Sequence, residues 1–128
     1  MFTLLSLYLV AASLGVMLFF TVLVAPSIFI VLPAEWAAIY VRAFFPKYYR
    51  TLGVVAVIAA LLSGKQAESL ALFAGALIFG FSLWLTPRIN HAKDQGQQKL
   101  FHRLHILSVA LNLLVIFIDM WVLFVAYA

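Results

Sequence analysis

From Phe2 to Leu32 the chain carries no charged residue. As a helix this run extends roughly 45 Å, more than the ~30 Å hydrocarbon core of a bilayer needs. A soluble globule of this size cannot bury such a stretch and must cover itself with charge, yet 67% of the residues are hydrophobic and only 9% charged. The sequence therefore predicts an all-α fold, an integral membrane four-helix bundle. One domain covers residues 1–128, with spans at about 2–25, 49–63, 67–86 and 104–127. A cleaved signal peptide is the competing reading of the first run. It would need a basic leader, a shorter apolar stretch and a small-x-small site, and none of these is present.

Prolines punctuate this plan. Pro26 is expected to end the first span and lay Ser27 to Pro33 along the interface. Pro46 is expected to restart the chain, and Pro87 to terminate the third span. Two amphipathic segments then lie at the cytoplasmic surface. One is Ala34 to Phe45, with Trp36, Tyr40, Ala43 and Phe44 at helical spacing. The other is Arg88 to Arg103, partly helical and interrupted around Gly96. Lys47-Tyr48-Tyr49-Arg50 reads as an aromatic and basic headgroup anchor.

Basic residues set the orientation. Arg42, Lys47 and Arg50 follow the first span, and Arg88, Lys93, Lys99 and Arg103 follow the third. Lys65 alone marks the middle turn, and neither terminal tail has Lys or Arg. The expectation is a multi-pass protein of the cell (inner) membrane, with both termini on the outer, periplasmic side. The net charge of +4 thus reads as membrane topology rather than nucleic-acid binding. No cysteine is present, which excludes disulfides and thiolate metal sites.

An offset of 61 residues aligns Pro26 and Ile28 with Pro87 and Ile89, Phe20 and Thr21 with Phe81 and Ser82, and Arg42 with Arg103. Either the halves are a repeat, which would place a site between them, or two hairpins of the same direction simply look this alike.

Polar residues within spans are costly and tend to face the bundle interior. His105, Ser108, Asn112 and Asp119 share one face of the last span, because spacings of three, four and seven return to the same side of a helix. Ser6, Ser13, Met17 and Thr21 form a matching face on the first span, and Ala71, Gly75, Ser82 and Thr86 one on the third. Met17, Ser82 and Asn112 fall at one depth, and Tyr8 falls near Asp119. These residues define a candidate polar seam, opening to the cytoplasm through His105, Asn90 and Arg88, with Asp94 beside Arg88. The competing reading is that small and hydroxyl residues merely allow close helix packing.

Catalytic signatures are absent, and no cofactor or metal site is assigned. His102 and His105 are three apart and could give one metal two ligands, with Asp94 adding a third. The competing reading makes them headgroup anchors beside Arg103. A haem held by two histidines would need ligands on facing helices, and the first three spans contain none.

Several segments carry a family resemblance. They are Phe20-Thr21-Val22-Leu23-Val24-Ala25-Pro26-Ser27-Ile28-Phe29, Phe45-Pro46-Lys47-Tyr48-Tyr49 and Leu85-Thr86-Pro87-Arg88-Ile89-Asn90. Asp94, Phe101, Leu104-His105-Ile106-Leu107-Ser108 and Asn112 complete the pattern. Together they resemble the transmembrane-protein-205-like family, a domain of unknown function. The resemblance implies a four-span membrane protein without established enzyme activity, whose eukaryotic relative is associated with platinum-drug resistance and proposed export. Met1, Met17 and Met120 are the only sulfur ligands here, which does not suit a thiol-based metal route. More distantly, the layout resembles the copper-resistance D and haem-dependent protoporphyrinogen oxidase group. Those oxidases place a histidine in the first span, where this chain has none.

The expected function is non-enzymatic binding or transport of a small solute through the polar seam, as a homo-oligomer or with a membrane-protein partner. The alternatives are an accessory subunit of a membrane complex and a haem- or metal-binding redox protein.

Overall fold

A computed structural model describes residues 1–127. It contains four helices: α1 (Phe2–Val31), α2 (Ala34–Leu62), α3 (Gln66–Asp94) and α4 (Gln98–Tyr127). Each has 29 or 30 residues, about 43–45 Å, so each exceeds the ~30 Å apolar core and carries polar turns beyond it. The helices form an up-down-up-down ring in which α1 meets α2 and α4, and α3 meets α2 and α4.

The bundle is apolar outside. Ile30, Leu77, Phe117 and Phe124 are exposed, whereas Ser6, Ser13, Glu68, Ser82, Thr86 and Asp119 are buried. Water would not tolerate so continuous an apolar surface. The chain is a multi-pass membrane protein.

None of the three prolines ends a helix. The helix of the first span continues past Pro26 to Val31 because Phe20–Val24 is wound as a π-helix. There the Ala25 N–H reaches back to the Phe20 carbonyl, a five-residue step. Such a widened turn accommodates a residue that lacks an N–H. Pro46 lies inside α2 and Pro87 inside α3. In lipid an unpaired carbonyl is costly, and hydroxyl side chains supply extra donors near a proline. Ser27 Oγ donates to the Leu23 carbonyl at 2.7 Å, and Thr86 Oγ1 donates to that of Ser82 at 2.8 Å.

The two amphipathic segments are therefore continuous with the spanning helices. The first of them packs one side against the bundle instead of lying in the interface plane. Trp36, Tyr40 and Ala43 point outward, while Ala37 is buried and Val41, Phe44 and Phe45 pack against the core. Tyr48 and Tyr49 are buried rather than held among headgroups. Phe20 packs against Phe44 and Tyr48 with ring centroids 4.8 and 5.0 Å apart, so the π-turn is clasped by the aromatic face of α2.

Tight junctions complete the ring. Leu32 is extended ahead of Pro33, the N-cap of α2, as a residue before proline prefers. At Gly64 a Cβ would fall 2.5 Å from Thr3 Oγ1, so glycine lets the start of α1 sit against the α2–α3 turn. Ser6 and Ser69 donate to the carbonyls of Ala59 and Ala60 at 2.6 and 2.7 Å, drawing α1 and α3 close to α2 through small residues. After Asp94, Gly96 takes φ +69°. The Gly96 N–H bonds the Lys93 carbonyl, and the Gln97 N–H bonds that of Ala92. This pair of bonds is a Schellman cap, and it falls where the sequence predicts an interruption.

The positions related by the 61-residue offset sit in unlike surroundings. Phe20 is buried and Phe81 exposed. Pro26 follows a π-turn, whereas Pro87 lies in regular α-helix.

Gly96→Ala is expected to cost about 1 kcal/mol, because it forces a Cβ into the left-handed region. Gly15→Ala, whose Cβ would meet nothing within 4 Å, should be neutral or stabilising. Thermal unfolding in a mild detergent compares the two.

Candidate functional site

The polar groups of the interior are arranged as separate stations along the bundle axis. At the end carrying the α1–α2 and α3–α4 junctions, Arg42 of α2 and Asp94 of α3 form a two-pronged ion pair at 3.1 and 2.5 Å. Asp94 is the last residue of α3, next to the Gly96 cap and beyond the apolar stretch of its helix. The hydrogen bond from Arg42 holds the Asp94 carboxyl below the usual carboxylate range. Both side chains are substantially exposed, so the pair works chiefly as a geometric clasp between α2 and α3.

The next station is a three-helix bridge. Tyr48 Oη of α2 donates to Asn112 Oδ1 of α4 at 2.9 Å, and Asn112 Nδ2 donates to Thr21 Oγ1 of α1 at 3.0 Å. Thr21 belongs to the π-turn. One amide thus ties the irregular part of α1 to two neighbouring helices.

Beyond it lies an apolar layer of Met17, Leu52, Phe79 and Val115, each buried to 4% exposure or less. Further along is Asp119, which is 5% exposed, and nearer the opposite end lie Ser6 and a second buried carboxyl, Glu68. Asp119 lines a cavity of about 10 Å³ with Ser13 of α1, Ala56 of α2 and Gly75 of α3. That volume is the size at which a single water fits. No salt bridge to Asp119 exists among the described residues.

Of the residues expected in a seam, the structure brings Met17, Ser82, Asn112 and Asp119 to the interior, but Met17 belongs to the apolar layer that divides Asn112 from Asp119. Ser108 is half-buried and donates to the His105 carbonyl in its own helix. His105 is exposed and stacks on Phe101. Tyr8 is 60% exposed and does not approach the interior with Asp119. Arg88 does not turn inward to close a mouth. It folds back over the Trp84 ring at 3.4 Å and donates to the Trp84 carbonyl at 3.1 Å. Asn90 is half-buried, and Asp94 pairs with Arg42 instead of Arg88. Among the described residues no three His, Asp or Glu side chains converge to hold a metal ion.

Residues 8–98 match a domain of unknown function, DUF4149. The chain belongs to this family. The matched range includes Met17, Thr21, Tyr48, Ser82 and the Arg42–Asp94 clasp, and it stops before Asn112 and Asp119. No curated protein and no solved structure matches the chain.

Tyr48 of this DUF4149 protein was not legible as a site residue, because reading Pro46 as a break loses the helical phase. Counted through the proline, Phe44, Phe45, Tyr48, Tyr49 and Leu52 form one continuous inward face. Replacing the central amide should test the bridge. Asn112→Leu leaves two hydroxyls without their shared partner and is expected to destabilise the bundle by about 1 kcal/mol. His105→Ala should change little. A double-mutant cycle of Asn112→Leu with Tyr48→Phe, read by thermal unfolding, should show coupling between the two.

Proposed function

We propose that this protein is a non-enzymatic inner-membrane protein that binds a small solute at Asp119 and moves it along the helix interior. The solute class is a proton or a single small cation. The observation that carries this reading is a carboxyl enclosed by four helices beside space for about one water. An ionisable group so placed is costly in a bilayer and marks an ion or proton path by default. The layer of Met17, Leu52, Phe79 and Val115 is then the barrier that a transport cycle must open. The π-turn supplies the element that moves, since such single widened turns inside α-helices recur at functional sites. The resemblance to transmembrane-protein-205-like proteins, one of which has been proposed to export drugs, supports a solute-handling role.

The test is proton flux into proteoliposomes, followed with an internal pH-sensitive dye after an acid jump. Wild type should acidify faster than protein-free liposomes, and Asp119→Asn should slow this at least tenfold while keeping the thermal midpoint within a few degrees. Gly75→Ala, whose Cβ would meet Val115 at an ordinary 3.7 Å, should narrow the cavity and slow flux without unfolding the bundle. Equal flux in wild type and Asp119→Asn would defeat the proposal.

The narrowness of that cavity favours a second reading, an accessory subunit whose closed bundle docks onto a larger membrane complex or a second copy. Co-purification in mild detergent with one defined partner, together with no flux above empty liposomes, would establish it in place of the first.

Orientation forms part of the proposal: both termini outside and the Arg42–Asp94 end in the cytoplasm, as the basic residues favour. The chain has no cysteine, so single substitutions report cleanly. Lys65→Cys and Lys93→Cys should label from opposite faces of intact cells, the first from outside. Labelling from one face would reject this topology.

A further inference from the structure

A second feature lies on the outer surface, away from Asp119. Between α2 and α3 runs an open groove of about 360 Å³, lined by Arg50, Gly53, Val57 and Ile58 of α2 and by Gly80 and Leu83 of α3, among others. Its walls are apolar except for one charge. Arg50 stands where the groove approaches the Arg42–Asp94 end. It is exposed and has no carboxylate partner among the described residues. From Arg50 to Ile58 the groove follows eight residues of helix, about 12 Å, close to the ~15 Å depth of one leaflet's hydrocarbon. Two glycines make the trough. A Cβ at Gly80 would meet nothing within 4 Å, and one at Gly53 would only touch Phe79 at 3.5 Å. The missing side chains are therefore not demanded by helix packing, and what they leave is space on the lipid face.

We infer that this groove is a binding site for one anionic glycerophospholipid, with its phosphate on Arg50 and one acyl chain lying over Gly53 and Gly80. The complementarity is double. An arginine within the lipid-facing surface extends its guanidinium toward the phosphate layer, where it pairs two-pronged with phosphate oxygens. The trough below it offers an unbranched chain continuous contact that a flat helix pair would not. A zwitterionic lipid brings the same tail and phosphate but adds a cation beside Arg50, so headgroup charge should decide occupancy. This site does not depend on the role of Asp119.

Native mass spectrometry of delipidated protein in mild detergent, given equal phosphatidylglycerol and phosphatidylcholine, tests the site. Wild type should keep one phosphatidylglycerol per chain, at least fivefold in preference to phosphatidylcholine. Arg50→Gln should abolish the preference, and Gly80→Leu, which fills the trough, should reduce retention of both lipids at least fivefold. Lys93→Gln, an exposed charge elsewhere, should retain lipid as wild type does. If Gly80→Leu does not fold, Val54→Trp fills the same trough from α2. Wild-type retention in the charge and trough variants would overturn the assignment, as would equal retention of the two lipids by wild type. Displacement of lipid by inorganic phosphate alone would reduce the site to an anion site. A high-yield disulfide between chains carrying Val57→Cys in lipid bilayers would show instead that a second copy covers the groove.

Discussion

The structure depends first on keeping every backbone N–H and C=O paired where no water can reach them. In water, three internal prolines would be three places for a chain to turn. In a bilayer core, a break strands several peptide groups at once, and the cheaper course is to wind past the proline and lose a single bond. The chain does this at Pro26, Pro46 and Pro87. The Pro26 site needs a π-turn, and the hydroxyls of Ser27 and Thr86 donate to carbonyls near the first and the last of these prolines. The long helices, the short junctions and the four-membered ring follow from that economy.

Once helices are obligatory, specific association between them falls to close packing and to polar side chains that bond across, because lipid offers apolar contact as good as any protein core. The bundle is therefore fastened at discrete points. Ser6 and Ser69 hold the two neighbours of α2 at one end, Asn112 joins three helices nearer the other, and Arg42 clasps Asp94 beyond it. Apolar layers such as Met17 with Val115 separate these points. Spaced fastenings fix the rotation of each helix, since turning any one of them would break the bonds that cross to its neighbours.

The sequence makes the large features plain. Four helices follow from apolar run length, the Gly96 junction from a glycine in a polar stretch, and the inward faces of Asn112 and Asp119 from their seven-residue spacing. The failures share two causes. By the rules of water a proline ends a helix, which cuts α2 at Pro46, lays its first turns along the interface and hides Tyr48. Depth alone pairs Tyr8 with Asp119, although depth says nothing about which side of a helix a residue occupies. Val10 and Ser13 face inward, and Tyr8, two residues from Val10, points away. Arg88 shows a third limit. Stacking on Trp84, four residues earlier, satisfies its charge locally, and no spacing rule distinguishes that from turning inward.

The π-turn joins the fold to the proposed chemistry. It sits one helical turn from Met17, carries Thr21 of the Asn112 bridge, and packs Phe20 against α2. A shift of this turn toward regular α-helix would rotate every residue of α1 on one side of it relative to the other, moving Met17 and Ser13 together against α4. The same change would strain the Thr21–Asn112–Tyr48 bonds. Under the proposed transport reading the bridge would act as a latch on the apolar layer, its strength setting how readily the space around Asp119 connects to the Arg42–Asp94 end. The turn that carries the helix past Pro26 is thus also the one bonded to the bridge, so accommodation of the proline and the internal fastening share a single segment of α1.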